Sequence, residues 1–120
     1  MKIVLVSYSP ERAITLQKVL EAQGYRVLAM GGSGDKIYKE MKTLVPELGA
    51  VVLDLSSRPS HTREVGDALA KTKYLTGIPR LWLDGKDEDK QKVGEKISPQ
   101  EKFVSLDDLE GELRRIKESS

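Results

Sequence analysis

The groups in this chain best placed to do chemistry each close or directly follow a short apolar run. Asp54 closes Ala50-Val51-Val52-Leu53, and Asp84 follows Leu81-Trp82-Leu83. Ser7-Tyr8-Ser9 follows Lys2 to Val6, and Ser105 ends a weaker run that begins at Lys102. Two carboxylates at neighbouring strand ends either share a divalent cation, Mg²⁺ or Ca²⁺, or raise each other's pKa until one holds a proton. The plainer alternative is that each accepts hydrogen bonds from loop amides and helix amino ends. Residue types alone leave both readings open.

A second concentration of polar groups is Ser56-Ser57-Arg58-Pro59-Ser60-His61-Thr62-Arg63, with two arginines, the only histidine and four hydroxyls. Such a loop can clamp an anion between Arg58 and Arg63 or present a docking surface to a partner. The ordinary alternative is a polar loop in which Ser60 or Thr62 caps the next helix. Serine, histidine and aspartate all occur, but no nucleophile elbow accompanies them, so a hydrolase triad is not expected. Ser7-Tyr8-Ser9-Pro10 leads into a helix whose free amides attract anions. It lacks the glycines that a pyrophosphate cradle needs, and capping by Ser9 is the simpler role. Gly31-Gly32-Ser33-Gly34 follows the second apolar run instead of the first, so NAD or FAD binding is not expected. Trp82, on an apolar run, reads as core, and the charged run Lys86 to Lys92 reads as a solvated helix face.

The elements that must position these groups alternate between two hydrophobic periods. Lys2 to Val6, Tyr25 to Met30, Ala50 to Leu55 and Ile78 to Leu83 are short apolar runs rich in β-branched residues, with Lys102 to Ser105 a weaker fifth. Continuous apolar runs of this length mark strands buried on both faces. Between them lie helical stripes: Ala13, Leu16, Val19 and Leu20; Ile37, Met41, Leu44 and Leu48; Val65, Ala68, Leu69 and Thr72; Leu106, Leu109, Leu113 and Ile116. Asp87 to Ile97 is only weakly periodic. Pro10 suits a first helical turn, and Gly24 and Gly49 suit left-handed helix ends. Strand–helix alternation demands right-handed crossovers and a parallel sheet covered on both faces. The expectation is an α/β fold: a doubly wound parallel five-stranded sheet in a three-layer sandwich of the flavodoxin-like or receiver-like kind, one domain over residues 1–120. In such sheets ligands bind outside the carboxyl ends of the strands, at the switch between the first and third. That rule gathers Ser7, Tyr8, Ser9, Asp54, Ser56, Asp84 and Ser105 around one crevice, with Arg58, His61 and Arg63 on the adjoining loop.

Composition narrows the function classes. The chain has 120 residues, 38% hydrophobic and 32% charged, as suits a soluble globular domain. Twenty basic residues against nineteen acidic ones leave a net charge of +1, without the basic excess that drives nucleic-acid binding. No apolar run approaches the roughly 18 residues that span a bilayer, and Met1 leads straight into a strand-like segment. Neither membrane anchor nor signal peptide is expected. The absence of cysteine excludes disulfides and thiolate chemistry and fits a cytoplasmic location.

Taken together, the runs resemble those of response-regulator receivers, the phosphoacceptor domains of two-component signalling. Lys2 to Val27, ending in Gly24-Tyr25-Arg26-Val27, resembles the family's first strand, first helix and second strand. Ala50-Val51-Val52-Leu53-Asp54-Leu55 resembles the third strand, with Asp54 in the phosphoacceptor position. Gly77-Ile78-Pro79-Arg80-Leu81-Trp82-Leu83 resembles the fourth. The family's chemistry neutralises charge around the phosphoryl group with an acidic pair holding Mg²⁺, a fourth-strand hydroxyl and a fifth-strand lysine. Here Ser7-Tyr8 replaces the acidic pair, and Asp84 replaces the hydroxyl. Lys102 aligns with the lysine, but if Phe103-Val104 is the strand, Lys102 sits at its wrong end and Ser105 faces the site. Pro59 also lies one residue later than the family pattern prefers. The resemblance thus implies a degenerate, stand-alone pseudo-receiver acting in signalling or regulation through protein contacts, with a protein partner or a homodimer. It would carry no cofactor beyond, at most, Mg²⁺, perform no ordinary phosphotransfer and not be an enzyme. Its contact surface would fall in Asp87 to Ile116. The competing expectation is a small-ligand or divalent-metal protein, with weak phosphotransfer at most, using Asp54, Asp84 and the Ser7–Ser9 turn.

Overall fold

Each of the five apolar runs becomes a strand, and all five join one parallel sheet. The computed structural model describes residues 1–31, 34–44, 47–75 and 77–119, with only the backbone of Gly34, Asp35, Tyr38 and Tyr74. The elements in chain order are β1 (Lys2–Val6), α1 (Pro10–Ala22), β2 (Arg26–Met30), α2 (Gly34–Lys42), β3 (Leu48–Asp54), α3 (Pro59–Ala70), a 3₁₀ turn (Lys73–Leu75), β4 (Arg80–Leu83), α4 (Asp87–Gly94), β5 (Glu101–Val104) and α5 (Leu106–Ser119). Strand order is β2-β1-β3-β4-β5, the doubly wound arrangement, with its switch point between β1 and β3. Of the glycine-rich stretch, Gly32 and Ser33 lie outside the described residues.

Alternate residues of each inner strand feed two cores, one on each face of the sheet. Val4, Val6, Val51, Leu53 and Trp82 pack with Ile37 and Met41 of α2, Val65 and Leu69 of α3, and Val93 of α4. Ile3, Leu5, Ala50, Val52, Leu81 and Leu83 pack with Leu16 and Leu20 of α1 and Leu109 and Leu113 of α5. Each fully buried Leu or Ile contributes ~1.5–3 kcal/mol relative to exposure, so both faces are needed to hold the sheet.

Local chemistry places the ends. Ser9 caps α1, its Oγ accepting from Arg12 N at 3.3 Å, and Pro10 opens the helix. Gly24 is left-handed, with φ +94°. Three acids in the first turn of α4 favour the helix dipole, and buried Val93 anchors it, which offsets the weak periodicity there.

Several boundaries and roles differ from the sequence expectation. Gly49 does not end a helix: it lies within β3, which starts early because Lys2 pairs with Leu48. Neither Ser60 nor Thr62 caps α3. The helix starts at Pro59 after a left-handed Arg58 that supplies no side-chain cap, and the Thr62 hydroxyl is instead buried beneath the carbonyls of Asp54, Ser57 and Arg58. Val19 and Leu106 are 41% and 42% exposed, so each lies outside the buried stripe of its helix. The fifth strand begins at Glu101, whose carboxylate accepts from Trp82 Nε1 at 3.1 Å and from Ser98 N at 2.7 Å.

Candidate functional site

The carboxyl ends of β1, β3 and β4 bring four polar side chains together, and an arginine from α1 joins them. Ser7 follows β1 and is tied to β2 by its N–H, which donates to Met30 O at 3.1 Å. The backbone packs so closely here that a Cβ on Gly31 would stand 2.9 Å from the Ser7 carbonyl oxygen, so only glycine fits. Asp54 ends β3 and is fully buried.

A buried carboxylate survives only with partners, and Asp54 has them on both oxygens. Its Oδ2 accepts from Ser7 Oγ and from Arg12 Nε, each at 2.9 Å. Its Oδ1 accepts from Ser56 Oγ at 2.6 Å and from Ser56 N at 3.2 Å. Asp84, directly after β4, has a left-handed backbone with φ +54°, a conformation aspartate tolerates better than most residues. Its Oδ1 accepts from Leu106 N at 3.1 Å, and its Oδ2 is the ion-pair partner of the outer guanidinium nitrogen of Arg12.

Arg12 therefore spans the two aspartates, giving Nε to one and Nη2 to the other. The planar fork of a guanidinium suits this double contact better than an ammonium would. Partial burial works against the Arg12 charge, but hydrogen bonds to Asp84 and Asp54 and the charges of both outweigh it and raise its pKa. Asp54 and Asp84 are thus joined through a side-chain cation, not only through loop amides.

The other sequence candidates separate. Ser9 is occupied as the α1 cap, and its N–H approaches Ser7 Oγ at 3.4 Å. Tyr8 is half-buried, and its ring meets that of His61 at 5.6 Å between centroids, tilted by 56°. This contact joins the turn after β1 to the first turn of α3. Arg58 is exposed, and its role is in its backbone conformation. Arg63 lies away from the crevice, on a cavity between α3 and α4. Ser105 is exposed and exchanges hydrogen bonds with Asp108, so it caps α5. Lys102 stands opposite Leu81, upstream of the strand end, and pairs with Glu112 at 3.1 Å.

Arg12 is the residue that sequence reasoning missed, because parallel topology gathers strand ends by rule, whereas Arg12 is on a helix and reaches the site only through its side chain. One signal was present: a cation in the first turn of a helix opposes the helix dipole, which calls for an anionic partner nearby. The donor set does not fit the magnesium of receiver chemistry. Ser7-Tyr8 stands in place of an acidic pair, a guanidinium already contacts both carboxylates, and no group of three acidic or histidine ligands occurs among the described residues.

Neither a protein-family model nor a curated protein sequence matches the chain. Solved structures of signalling receivers do. The signal receiver domain of a histidine kinase from Syntrophus aciditrophicus superposes with a TM-score of 0.77 at 18% identity, covering 98% of this chain and 90% of that one. The receiver domain of a sensor histidine kinase from Pseudomonas aeruginosa, with a magnesium ion coordinated in its active-site cleft, has a TM-score of 0.73 at 15% identity, covering 97% of each. The non-phosphorylated HemR receiver domain from Leptospira biflexa has a TM-score of 0.65 at 22% identity, covering 96% and 92%. The likeness shows the receiver fold; in this chain the strand order is β2-β1-β3-β4-β5, and Asp54 ends the central strand.

Proposed function

With the receiver fold as premise, we propose that this chain is a pseudo-receiver, a signalling or regulatory module that works through protein contacts and not through phosphorylation of Asp54. The observation that carries this reading is the Arg12 bridge between Asp54 and Asp84. A phosphoacceptor must meet its donor with cations and hydrogen-bond donors arranged around the incoming oxygens. Asp54 is instead fully buried, with its oxygens taken by Ser7, Ser56 and Arg12, and Asp84 adds negative charge where a hydroxyl is needed. The bridge also ties α1 to the ends of β3 and β4, and the Leu106 N–H carries the tie to α5.

The contact surface on this reading is the β5 edge and its flanks. Ile97, Phe103 and Leu106 are 36%, 37% and 42% exposed on or beside the edge strand. Single exposed apolar side chains are common, but three around one sheet edge suit a protein partner or a second copy.

The test is incubation with acetyl phosphate and Mg²⁺ followed by intact mass measurement, beside an amide NMR titration with Mg²⁺ and beryllium fluoride. The expected result is no phosphoryl adduct and no saturable shift of the Ser56, Asp84 and Leu106 amides. A phosphoryl adduct that disappears in Asp54→Asn would overturn the reading. A saturable response to Mg²⁺ alone would favour a divalent-metal site in its place. For the contact surface, Phe103→Glu is expected to abolish self-association or partner capture while leaving the unfolding midpoint nearly unchanged.

A further inference from the structure

A second concavity is lined by neither of the two aspartates. It is a cavity of about 210 Å³ between α3 and α4, floored by Trp82 and Val93. Four cations stand around it: Arg63 and Lys71 on the α3 side, Lys92 and Lys96 on the α4 side. None of the four takes part in an ion pair among the described residues.

Two acids also line the cavity, Asp67 and Glu101. Glu101 is already committed: it accepts from Trp82 Nε1 and Ser98 N, and Arg80 stands 3.7 Å from its Oε2. Asp67 is exposed and, among the described residues, pairs with none of the cations. The cavity therefore carries an excess of positive charge on a floor that is partly aromatic.

One atom in its wall lacks a partner. Arg63 Nε is buried and makes no hydrogen bond. An unsatisfied buried donor costs ~1–3 kcal/mol, more when it is charged, and Arg63 has no ion-pair partner among the described residues to give up when an oxyanion meets the rest of its guanidinium. The cavity depends on a glycine: a Cβ on Gly66 would stand 2.3 Å from the Trp82 ring, so α3 rests on the indole only because position 66 has no side chain.

We propose that this cavity binds a small phosphate-bearing anion, a phosphate monoester or a diphosphate. Arg63 donates to the phosphate oxygens, the three lysines neutralise it, and the organic part packs against Trp82. Arginine's fork and a ring of lysines match a multiply charged phosphate better than a single carboxylate. The volume, below the usual range for drug-sized ligands, limits the occupant to a phosphate with a small organic group. This site is independent of Asp54 and of the pseudo-receiver reading.

Trp82 is the only tryptophan, so its fluorescence reports on this cavity directly. The experiment titrates the intact chain with sodium pyrophosphate, with sodium chloride at matched ionic strength as control, and repeats the titration by calorimetry. The expected result is a saturable change in Trp82 emission with pyrophosphate and none with chloride. Arg63→Gln is expected to weaken binding by about tenfold or more, a loss of ~1.4 kcal/mol, without lowering the unfolding midpoint, since it removes an unpaired buried donor. The surface variant Lys71→Gln/Lys96→Gln is expected to weaken binding as well. Asp54→Asn, in the other crevice, is expected to leave it unchanged. No saturation by either method up to about 10 mM, a Kd range worth under ~3 kcal/mol, would overturn the proposal. So would binding that Arg63→Gln and Lys71→Gln/Lys96→Gln leave intact, or an equal response to chloride.

Discussion

An arginine in the first turn of a helix works against the helix dipole, and Arg12 is held there by what it touches. It faces a fully buried aspartate on one side and one that is 30% exposed on the other. Removing one partner of such a pair leaves an uncompensated charge, so Arg12→Gln is expected to destabilise the fold by ~3 kcal/mol. In a double-mutant cycle, Arg12→Gln and Asp54→Asn are expected to couple by ~1–3 kcal/mol; additive losses in urea unfolding would mean that the bridge does not form in solution. Glu101 gives a pH-dependent counterpart. Burial acts to raise its pKa, but hydrogen bonds from Ser98 and Trp82 and the charge of Arg80 outweigh burial and hold the carboxyl below its ordinary value. Its stabilisation is complete above the unfolded value of about 4.3 and is lost as pH falls through the lower folded value. The unfolding midpoint of Glu101→Gln is therefore expected to be lower at neutral pH and to fall less steeply below about pH 4.3 than that of the parent chain. Parallel curves for the two proteins would show that Glu101 titrates alike in the folded and unfolded chains.

At the scale of the element, α3 shows how one residue without a side chain sets a packing distance. Gly66 lies on the Trp82 ring, and the helix has no room for a methyl group there. Gly66→Ala is expected to cost ~1–3 kcal/mol through overpacking, despite alanine's better helix propensity, and to shift Trp82 emission as the indole is displaced. A stabilised variant with unchanged emission would place α3 farther from the sheet than it is here. The start of α1 obeys simpler rules. Ser9 and Pro10 are a capping residue and a first-turn proline in the usual order, and Ser9→Ala is expected to cost ~1 kcal/mol. That loss also loosens the turn that holds Arg12 over the aspartates.

For the whole molecule, the two cores share one sheet, so unpacking either face removes support from strands on which the other core is also built. On this ground we propose that residues 1–120 form one cooperative unit. Trp82 fluorescence, reporting one face, and far-ultraviolet circular dichroism, reporting all the helices, are expected to give coincident unfolding curves. Two separated transitions would divide the chain into independent parts.

The receiver-like layout was legible in the sequence because strands buried on both faces need continuous apolar runs, and helices that cover them need one apolar stripe. Both leave a local, periodic mark, and so do Ser9, Pro10 and Gly24 at their helix ends. The gathering of Ser7, Asp54, Ser56 and Asp84 was legible too, since parallel topology puts all strand carboxyl ends on one side. What only the tertiary structure decided was which side chains answer one another across that gathering. Arg12 and Asp84 are separated by 72 positions, and no local pattern records their contact. Arg63 left the crevice for the α3–α4 cavity, and Lys102 turned to Glu112, because a side chain's direction depends on the rotation of its helix or strand against the sheet. Periodicity locates an element's buried face; the charge that meets another charge across the fold is set only when the elements have packed.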